Sequence, residues 1–164
     1  MSCVVNDSCP ESLSLIAAQH DDWIIQRAIA LLEQRVFKAG PALHSLDAVH
    51  DYLRLKLAAE PNEMFAVVFL NYHHEVLAYE PLFRGSIGQS KVYPRVVAQR
   101  ALALNASGVI LAHQHPSGLT EPSADDRALT KRLEKALALV DVRVVDHLVI
   151  GKGKPFSFVE AGLL

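Results

Sequence analysis

The chain has 164 residues, of which 51% are apolar and 21% are charged, and its formal net charge at pH 7 is −2. This composition is typical of a single globular domain and excludes an intrinsically disordered chain. The balanced charge argues against nucleic-acid binding, and no apolar run approaches the roughly 20 residues that a membrane-spanning helix needs.

The first ten residues are predicted to form a loose tail. They contain both cysteines of the chain, Cys3 and Cys9, and two cysteines are too few for a disulfide framework. The tail also lacks the positively charged start and the continuous apolar segment of a signal peptide. We therefore expect free thiols in a reducing compartment, which makes the cytoplasm the predicted location.

Two amphipathic helices are predicted to follow the tail. The first spans residues 11–38 and ends before a Gly-Pro pair, because proline cannot continue a helix. The second spans residues 45–59, and its apolar residues lie on one stripe: Leu46, Val49, Leu53 and Leu57. Residues 1–60 are thus predicted to be a helical extension that packs on a domain formed by residues 61–164.

Beyond residue 60 the helical period gives way to short apolar runs. Residues 64–70 and 75–83 are predicted to form a β-hairpin. The predicted elements after the hairpin are a helix over 94–105, a strand over 109–112, a helix over 123–139, a strand over 142–150 and a closing strand over 156–159. This order contains a strand–helix–strand crossover and predicts a mixed α/β domain.

Two histidines directly follow the strand predicted over residues 109–112. Alternate residues of a strand point to the same side, so His113 and His115 can direct both rings at one point. Asp126, at the start of the next predicted helix, can bring a carboxylate to the same point. Two imidazoles and a carboxylate are three protein ligands for Zn²⁺, and the fourth position is left open for water. The sequence therefore predicts a catalytic zinc site.

Two further residues are candidate catalytic groups. Glu63, directly before the strand predicted over residues 64–70, is the candidate general base that takes a proton from the attacking water. Ser123 is the candidate hydrogen-bond donor to the oxyanion of a tetrahedral intermediate. Each has an alternative interpretation. Glu63 also suits a charged position at a strand start, and Ser123 with Asp126 resembles a capping box, a role that competes with metal binding by Asp126.

The other histidines are assigned no catalytic role. Five of them are expected at the surface or in the solvated hairpin turn: His20, His44, His50, His73 and His74. The pair Asp146-His147 is interpreted either as a buried ion pair or as a group that contacts a metal ligand. The sequence contains no serine-hydrolase elbow, phosphate-binding loop, His-Glu-x-x-His motif or nucleotide-deaminase signature.

The segment from His113 to Asp126 is similar to the JAMM metalloprotease motif, His-x-His followed by Ser-x-x-Asp. Over about residues 60–164 the chain resembles the RadC family of bacterial proteins. The matching segments are Leu-Phe-Arg-Gly at 82–85, Val-Tyr-Pro-Arg at 92–95, residues 106–115, Pro-Ser-Gly at 116–118 and Asp-His-Leu-Val-Ile-Gly at 146–151. The short length resembles the single-domain members that lack a DNA-binding segment.

This resemblance implies an MPN (JAB/JAMM) α/β fold with a mixed sheet flanked by helices, related to the cytidine deaminase architecture. It also implies Zn²⁺ held by His113, His115 and Asp126. Glu63 precedes an apolar strand, as the essential glutamate of JAMM enzymes does. The resemblance therefore implies that Glu63 is the general base.

Three residues depart from the family pattern. Gln114 stands where many relatives have Asn, and Leu119 where an acidic residue is common. Both are expected to alter substrate contacts rather than metal binding. Tyr93 stands where His is usual, and a change in the properties of the metal site is expected if that position contacts a ligand.

The resemblance implies hydrolysis of a peptide or isopeptide bond, so the first prediction is a zinc-dependent metallohydrolase with a polypeptide substrate. A fold and a ligand set do not fix a substrate, however. The alternatives are a catalytically silent, metal-bearing interaction module and a DNA-repair-associated accessory protein, which the net charge of −2 disfavours. The apolar N-terminal helices would also suit a homodimer.

Overall fold

The computed structural model describes residues 10–36, 46–58, 60–85 and 92–164. These residues form four helices and five strands. In chain order they are α1 (Pro10–Val36), α2 (Leu46–Ala58), β1 (Met64–Leu70), β2 (Val76–Arg84), α3 (Pro94–Ala103), β3 (Gly108–Gln114), α4 (Ala124–Ala138), β4 (Arg143–Ile150) and β5 (Phe156–Ser157). The expectations for the tail with Cys3 and Cys9, for His44 and for most of the loop at residues 85–89 concern positions outside the described residues.

The strands form one mixed sheet in the order β2-β1-β3-β4-β5. β1 and β2 are antiparallel neighbours, which confirms the predicted hairpin. β3 pairs antiparallel with β1 and parallel with β4. The parallel pair needs a crossover connection, and α4 provides it. β1 and β3 are therefore central strands, with all of their residues buried.

Helices cover both faces of the sheet, which explains why the central strands are continuously apolar. Alternate residues of β1 contribute to two separate cores. Ala66, Val68 and Leu70 pack with residues of α1 and α2 on one face. Phe65, Val67 and Phe69 pack with residues of α3 and α4 on the other. The sheet thus separates an α2 face from an α4 face, and side-chain parity decides the face on which each polar residue lies.

Two features of the sheet differ from the sequence prediction. β3 runs to Gln114, so His113 lies inside the strand, where it pairs with Phe65 of β1 and Val149 of β4. The prediction covers only the apolar run over residues 109–112, and polar residues extend the strand beyond that run. β5 contains only Phe156 and Ser157, because the amide of Val159 already turns to bond the Asp146 carboxylate at 3.1 Å.

The predicted 60/61 domain boundary stays a prediction, and the described part of the N-terminal region packs closely on the sheet. α2 contacts β3 and β4, and its residues Val49, Leu53 and Leu57 are fully buried. The prediction that His50 lies at the surface is wrong. Its side chain is 14% exposed, and Nε2 lies 3.9 Å from Asp146 Oδ2, because α2 presses against the sheet here. No helix in the described part of the chain is long and apolar enough to cross a membrane.

Candidate metal centre

Strand β3 and helix α4 bring together the three side chains that the sequence analysis assigned as metal ligands. The Nε2 atoms of His113 and His115 are 3.0 Å apart. Asp126 lies in the first turn of α4, where Oδ1 is 3.2 Å from His113 Nε2 and Oδ2 is 3.3 Å from His115 Nε2. Within the described residues, these three side chains form a group that could hold a metal ion.

The spacing of these atoms fits Zn²⁺. Ligand atoms bound at about 2.0–2.1 Å in a tetrahedron lie roughly 3.3 Å from one another, and the three separations here are 3.0, 3.2 and 3.3 Å. The site is also sheltered from solvent, since the side chains of His113 and Asp126 are 2% and 13% exposed. Imidazole nitrogen and carboxylate oxygen are ordinary zinc ligands, so the residues present fit this ion.

The hydrogen bond at the other nitrogen of His115 fixes its tautomer. Nδ1 of His115 lies 3.0 Å from the carbonyl oxygen of Leu119. A carbonyl can only accept, so Nδ1 carries the proton and donates it. Nε2 then presents a lone pair towards His113 and Asp126, as a metal ligand must.

A chain of three hydrogen bonds fixes the tautomer of His113. The Thr130 hydroxyl donates to the Asp126 backbone carbonyl at 2.7 Å, so its oxygen is free to accept from His147 Nδ1, also at 2.7 Å. With its proton on Nδ1, His147 accepts at Nε2 from His113 Nδ1 at 2.9 Å. The Nε2 lone pair of His113 therefore also faces the centre. Three acceptor atoms this close together repel one another, and a cation bound between them would relieve that repulsion.

His147 must be neutral for this chain of donors to hold. Its ring is fully buried between Phe65 and Phe158, with ring centroids 5.8 and 4.7 Å away. Burial of the ring holds the pKa of His147 well below its usual range. Of the two interpretations of Asp146-His147, the contact with a proposed ligand is the one the structure shows. Asp146 itself accepts hydrogen bonds from Ser157 Oγ and from the amide of Val159.

The N-terminus of α4 holds the carboxylate of Asp126 in place. Oδ2 accepts hydrogen bonds from the Ser123 amide at 2.8 Å and from the Ser123 hydroxyl at 2.6 Å. The Ser123 hydroxyl oxygen in turn accepts from the Asp126 amide at 3.1 Å, which completes a capping box. The predicted competition between capping and metal binding does not arise, because the same carboxylate reaches both the cap and the two rings.

The charge of Asp126 also suits a cation site. Burial by itself raises the pKa of this carboxyl group, but the contact with His113 and the two hydrogen bonds from Ser123 outweigh burial and hold the pKa well below its ordinary range. Asp126 is therefore ionised at neutral pH. The Ser123 hydroxyl donates its single hydrogen to this carboxylate. To act as the predicted oxyanion donor, the hydroxyl would have to rotate and donate that hydrogen to the substrate instead.

Glu63 lies on the wall of the cavity that contains the candidate ligands. The cavity has a volume of about 740 Å³, and its wall carries polar and aromatic side chains beside the three ligands: Glu63, Phe65, Tyr93, Ser123, Asp125 and Arg132. Glu63 is half-buried, directly before β1. All five residues that the sequence analysis selected therefore border one space.

The prediction that Gln114 alters substrate contacts is wrong, because Gln114 lies on the opposite face of β3 from His113. It is only 4% exposed. Its Oε1 accepts from the Met64 amide at 2.6 Å, and its Nε2 donates to the carbonyl oxygens of Glu60, at 3.2 Å, and Asn62. Leu119, by contrast, has a side chain that is 68% exposed, and Tyr93 is 52% exposed on the cavity wall.

A tight turn holds His115 against the end of β4. The His115 amide donates to the Ile150 carbonyl at 3.0 Å, and the Lys152 amide donates to the Gly118 carbonyl at 2.8 Å. Gly151 makes this approach feasible, since a Cβ atom there would lie 2.5 Å from the Gly118 carbonyl oxygen and 2.9 Å from that of Leu119. The latter oxygen is the acceptor that orients His115.

Sequence reasoning missed Thr130 and the orienting contact of Gln114. Thr130 follows Asp126 by one helical turn, so it shares the face of α4 that points at the site, and that spacing is a usable signal. Gln114 lies between two histidines that share a face, which places it on the other face of the strand. The segment it contacts there depends on sheet pairing, which one sequence does not give.

Comparison with known proteins agrees with this fold. A family model described as a RadC-like JAB domain matches residues 43–163. A UPF0758 protein of Methylibium petroleiphilum is 59% identical over 124 residues, which are 76% of this chain and 56% of that protein. A UPF0758 protein of Ectopseudomonas mendocina is 52% identical over 139 residues, which are 85% of this chain and 62% of that protein.

The UPF0758 protein YfjY of Escherichia coli is 47% identical over 140 residues, which are 85% of this chain and 88% of that protein. The chain spans little more than half the length of several other curated relatives. The mixed sheet between helices is consistent with a JAB/MPN domain, which confirms the predicted fold class. The chain therefore belongs to the RadC family, with a RadC-like JAB domain over residues 43–163.

Proposed function

We propose that this protein is a zinc-dependent hydrolase that cleaves a peptide or isopeptide bond of a polypeptide. The observation that carries the proposal is the convergence of His113, His115 and Asp126 at 3.0–3.3 Å on the wall of a cavity that Glu63 also lines. Zn²⁺ at such a site supplies polarisation of the substrate carbonyl and activation of water. The family membership supports hydrolase chemistry, and the substrate class is our inference.

The chain's own residues divide the remaining work. His113, His115 and Asp126 hold the ion, with both rings in the tautomer that leaves Nε2 free. Glu63 takes a proton from the attacking water and delivers it to the leaving amine. Glu63 is half-buried and lines the cavity that contains the three ligand candidates, which supports this role.

The cavity wall has a composition that a peptide segment can match. The wall combines apolar groups, such as Phe65 and Leu129, with Arg132 and Asp125, which carry opposite charges. A peptide segment presents both apolar side chains and backbone polar groups, so such a mixed wall matches its surface.

The test of this proposal is a cleavage screen with the zinc-loaded protein against libraries of peptides and of isopeptide-linked peptides, with products read by mass spectrometry. We expect cleavage that a chelator abolishes and added Zn²⁺ restores. Glu63→Gln is expected to keep its zinc, measured by elemental analysis, and to lose about 100-fold or more in turnover, since general-base catalysis contributes on that order.

Glu60→Gln is the matched control for this experiment. Glu60 lies three residues away, and its carboxylate pairs with Arg84 at 3.1 Å. Its activity should stay at the wild-type level. Wild-type turnover by Glu63→Gln would refute the assignment of the base. A zinc-loaded wild-type protein that cleaves no library would refute the hydrolase proposal and favour a metal-bearing interaction module.

A further inference from the structure

We propose that Gln114 positions Glu63 beside the metal centre, an inference that rests on the proposed function. The Gln114 side chain binds the backbone on both sides of Glu63. The Met64 amide, directly after Glu63, donates to Gln114 Oε1 at 2.6 Å. The Gln114 amide nitrogen donates to the carbonyl oxygen of Asn62, directly before Glu63, and to that of Glu60 at 3.2 Å.

The placement of Gln114 on β3 makes this arrangement selective for Glu63. Gln114 lies between two metal-ligand candidates, but its side chain projects to the α2 face, whereas His113 projects to the α4 face. β1 pairs with β3 and begins at Met64, so the segment before β1 runs past the end of β3. The end of β3 thus presents the ligand candidate His113 on one face and holds the segment that carries Glu63 with the other.

The segment needs such support because residues 60–63 belong to neither a helix nor a strand. Gly85 gives further support, since its amide donates to the Glu63 carbonyl at 2.8 Å. Gln114 is only 4% exposed, and both the acceptor and the donor group of its side-chain amide are in use. An apolar side chain at this position would leave a buried amide and two carbonyl groups without these partners, and the segment would relax.

Displacement of Glu63 should slow proton transfer without weakening metal binding. A shift of about 1 Å in a catalytic group is enough to cost roughly 100-fold in rate. The candidate ligands are held by other contacts, namely those of Leu119, His147 and Ser123. The role of Gln114 therefore separates from theirs in an experiment.

The test compares Gln114→Met, which has a similar shape but no hydrogen-bonding group, with Gln114→Glu, which keeps the acceptor for Met64 and removes the amide donor. Ser157→Ala is the matched control, because it also removes a buried hydrogen bond, to Asp146 at 2.7 Å, but from β5, which pairs with β4 and not with β3. All variants are prepared as the full chain. Circular dichroism and zinc affinity establish that each one is folded.

The first measurement does not depend on activity. Zn²⁺ alone is titrated into protein with ¹³C-labelled glutamate, and the Glu63 carboxyl resonance is assigned by its loss in Glu63→Gln. We expect Zn²⁺ to shift this resonance in the wild type and in Ser157→Ala, and to shift it by less than half as much in Gln114→Met. We also expect the Met64 amide to exchange about tenfold faster in Gln114→Met, as loss of one hydrogen bond implies. An unchanged zinc response and unchanged exchange would overturn the proposal.

The second measurement uses any peptide that the cleavage screen identifies. Gln114→Met should lose about 100-fold in kcat with little change in KM, and it should add almost nothing to the loss in Glu63→Gln. An equal loss in both backgrounds would show that Gln114 acts independently of Glu63. If the wild type cleaves nothing, the hydrolase proposal fails, and the zinc titration alone decides whether Gln114 positions Glu63.

Discussion

Proton placement at single residues decides whether the candidate site can hold a metal ion. Each candidate histidine has one nitrogen bound to a fixed partner, the Leu119 carbonyl for His115 and the His147 ring for His113. Such contacts raise ligand basicity and prevent the ring from rotating, which is why outer partners are worth nearly as much as the ligands themselves. Thr130 sets which atoms donate and which accept in the hydrogen bonds that lead through His147 to His113, because its hydroxyl donates to the Asp126 carbonyl.

Thr130→Val should therefore weaken zinc binding although Thr130 is not a ligand. Valine keeps the shape but cannot accept from His147, so the tautomer of His147 and then that of His113 lose their preference. We expect zinc affinity to fall by about 10–100-fold, measured by competition with a chromogenic chelator. Long-range ¹H–¹⁵N spectra of the imidazoles should show mixed tautomers.

The same substitution at the other threonine of the chain, Thr120→Val, is the control, since Thr120 is half-buried but is not a member of this chain of hydrogen bonds. It should leave zinc affinity unchanged. Equal affinities for the wild type and Thr130→Val would show that the proton order around His113 does not matter for binding.

Two elements, β3 and the turn after it, set the geometry of the site. Their general positions followed from the sequence, because the apolar run before His113 and the capping residues before Asp126 are local signals. The end of β3, the segment that Gln114 contacts and the partner of His147 did not follow. Those features depend on which strands pair and in what register, and that information lies in contacts between distant parts of the chain.

Gly151→Ala should disturb the turn that carries His115. A methyl group would lie 2.5 Å from the Gly118 carbonyl oxygen and 2.9 Å from that of Leu119, so the backbone has to move. We expect a loss of about 1–3 kcal/mol in the free energy of unfolding, typical of overpacking, together with a weaker zinc affinity. Urea unfolding of the metal-free protein and zinc titration measure the two effects.

Gly153→Ala separates steric conflict from backbone strain. Gly153 lies two residues after Gly151 with φ of 106°, and a Cβ there would meet nothing within 4 Å. Alanine at this position should destabilise the fold but leave zinc affinity unchanged. If both alanine variants bind zinc as the wild type does, the close approach at Gly151 has no bearing on the site.

At the scale of the whole molecule, the three ligand candidates connect two consecutive elements of different kinds, a central strand and a helix. His113 and His115 belong to β3 and its turn, whereas Asp126 belongs to α4. Binding of an ion would therefore join the sheet to the helix that covers it. α1, at the periphery, exposes the apolar side chains of Trp23, Ile24 and Leu31, and the predicted homodimer stays a prediction.

Zinc should stabilise the folded protein by mass action. A ligand that binds only the native state at 100 times its Kd adds about 2.7 kcal/mol, which corresponds to a rise of roughly 5–10 °C in Tm for a chain of this size. Differential scanning calorimetry with added Zn²⁺ or EDTA measures this rise. His115→Ala and Asp126→Asn should lose it, and a Tm that does not respond to zinc in the wild type would contradict the proposed site.

β3 presents His113 on one face and holds the Glu63 segment with the other, and this arrangement has a consequence for correct folding. Side chains on a strand change faces at every step, so a one-residue slip of β3 against β1 would turn Gln114 towards α4 and both imidazoles away from Asp126. In such a misaligned sheet, metal binding and proton transfer would both be lost, and no partly active form would remain. Correct alignment of one central strand is therefore an all-or-none condition for the chemistry proposed here.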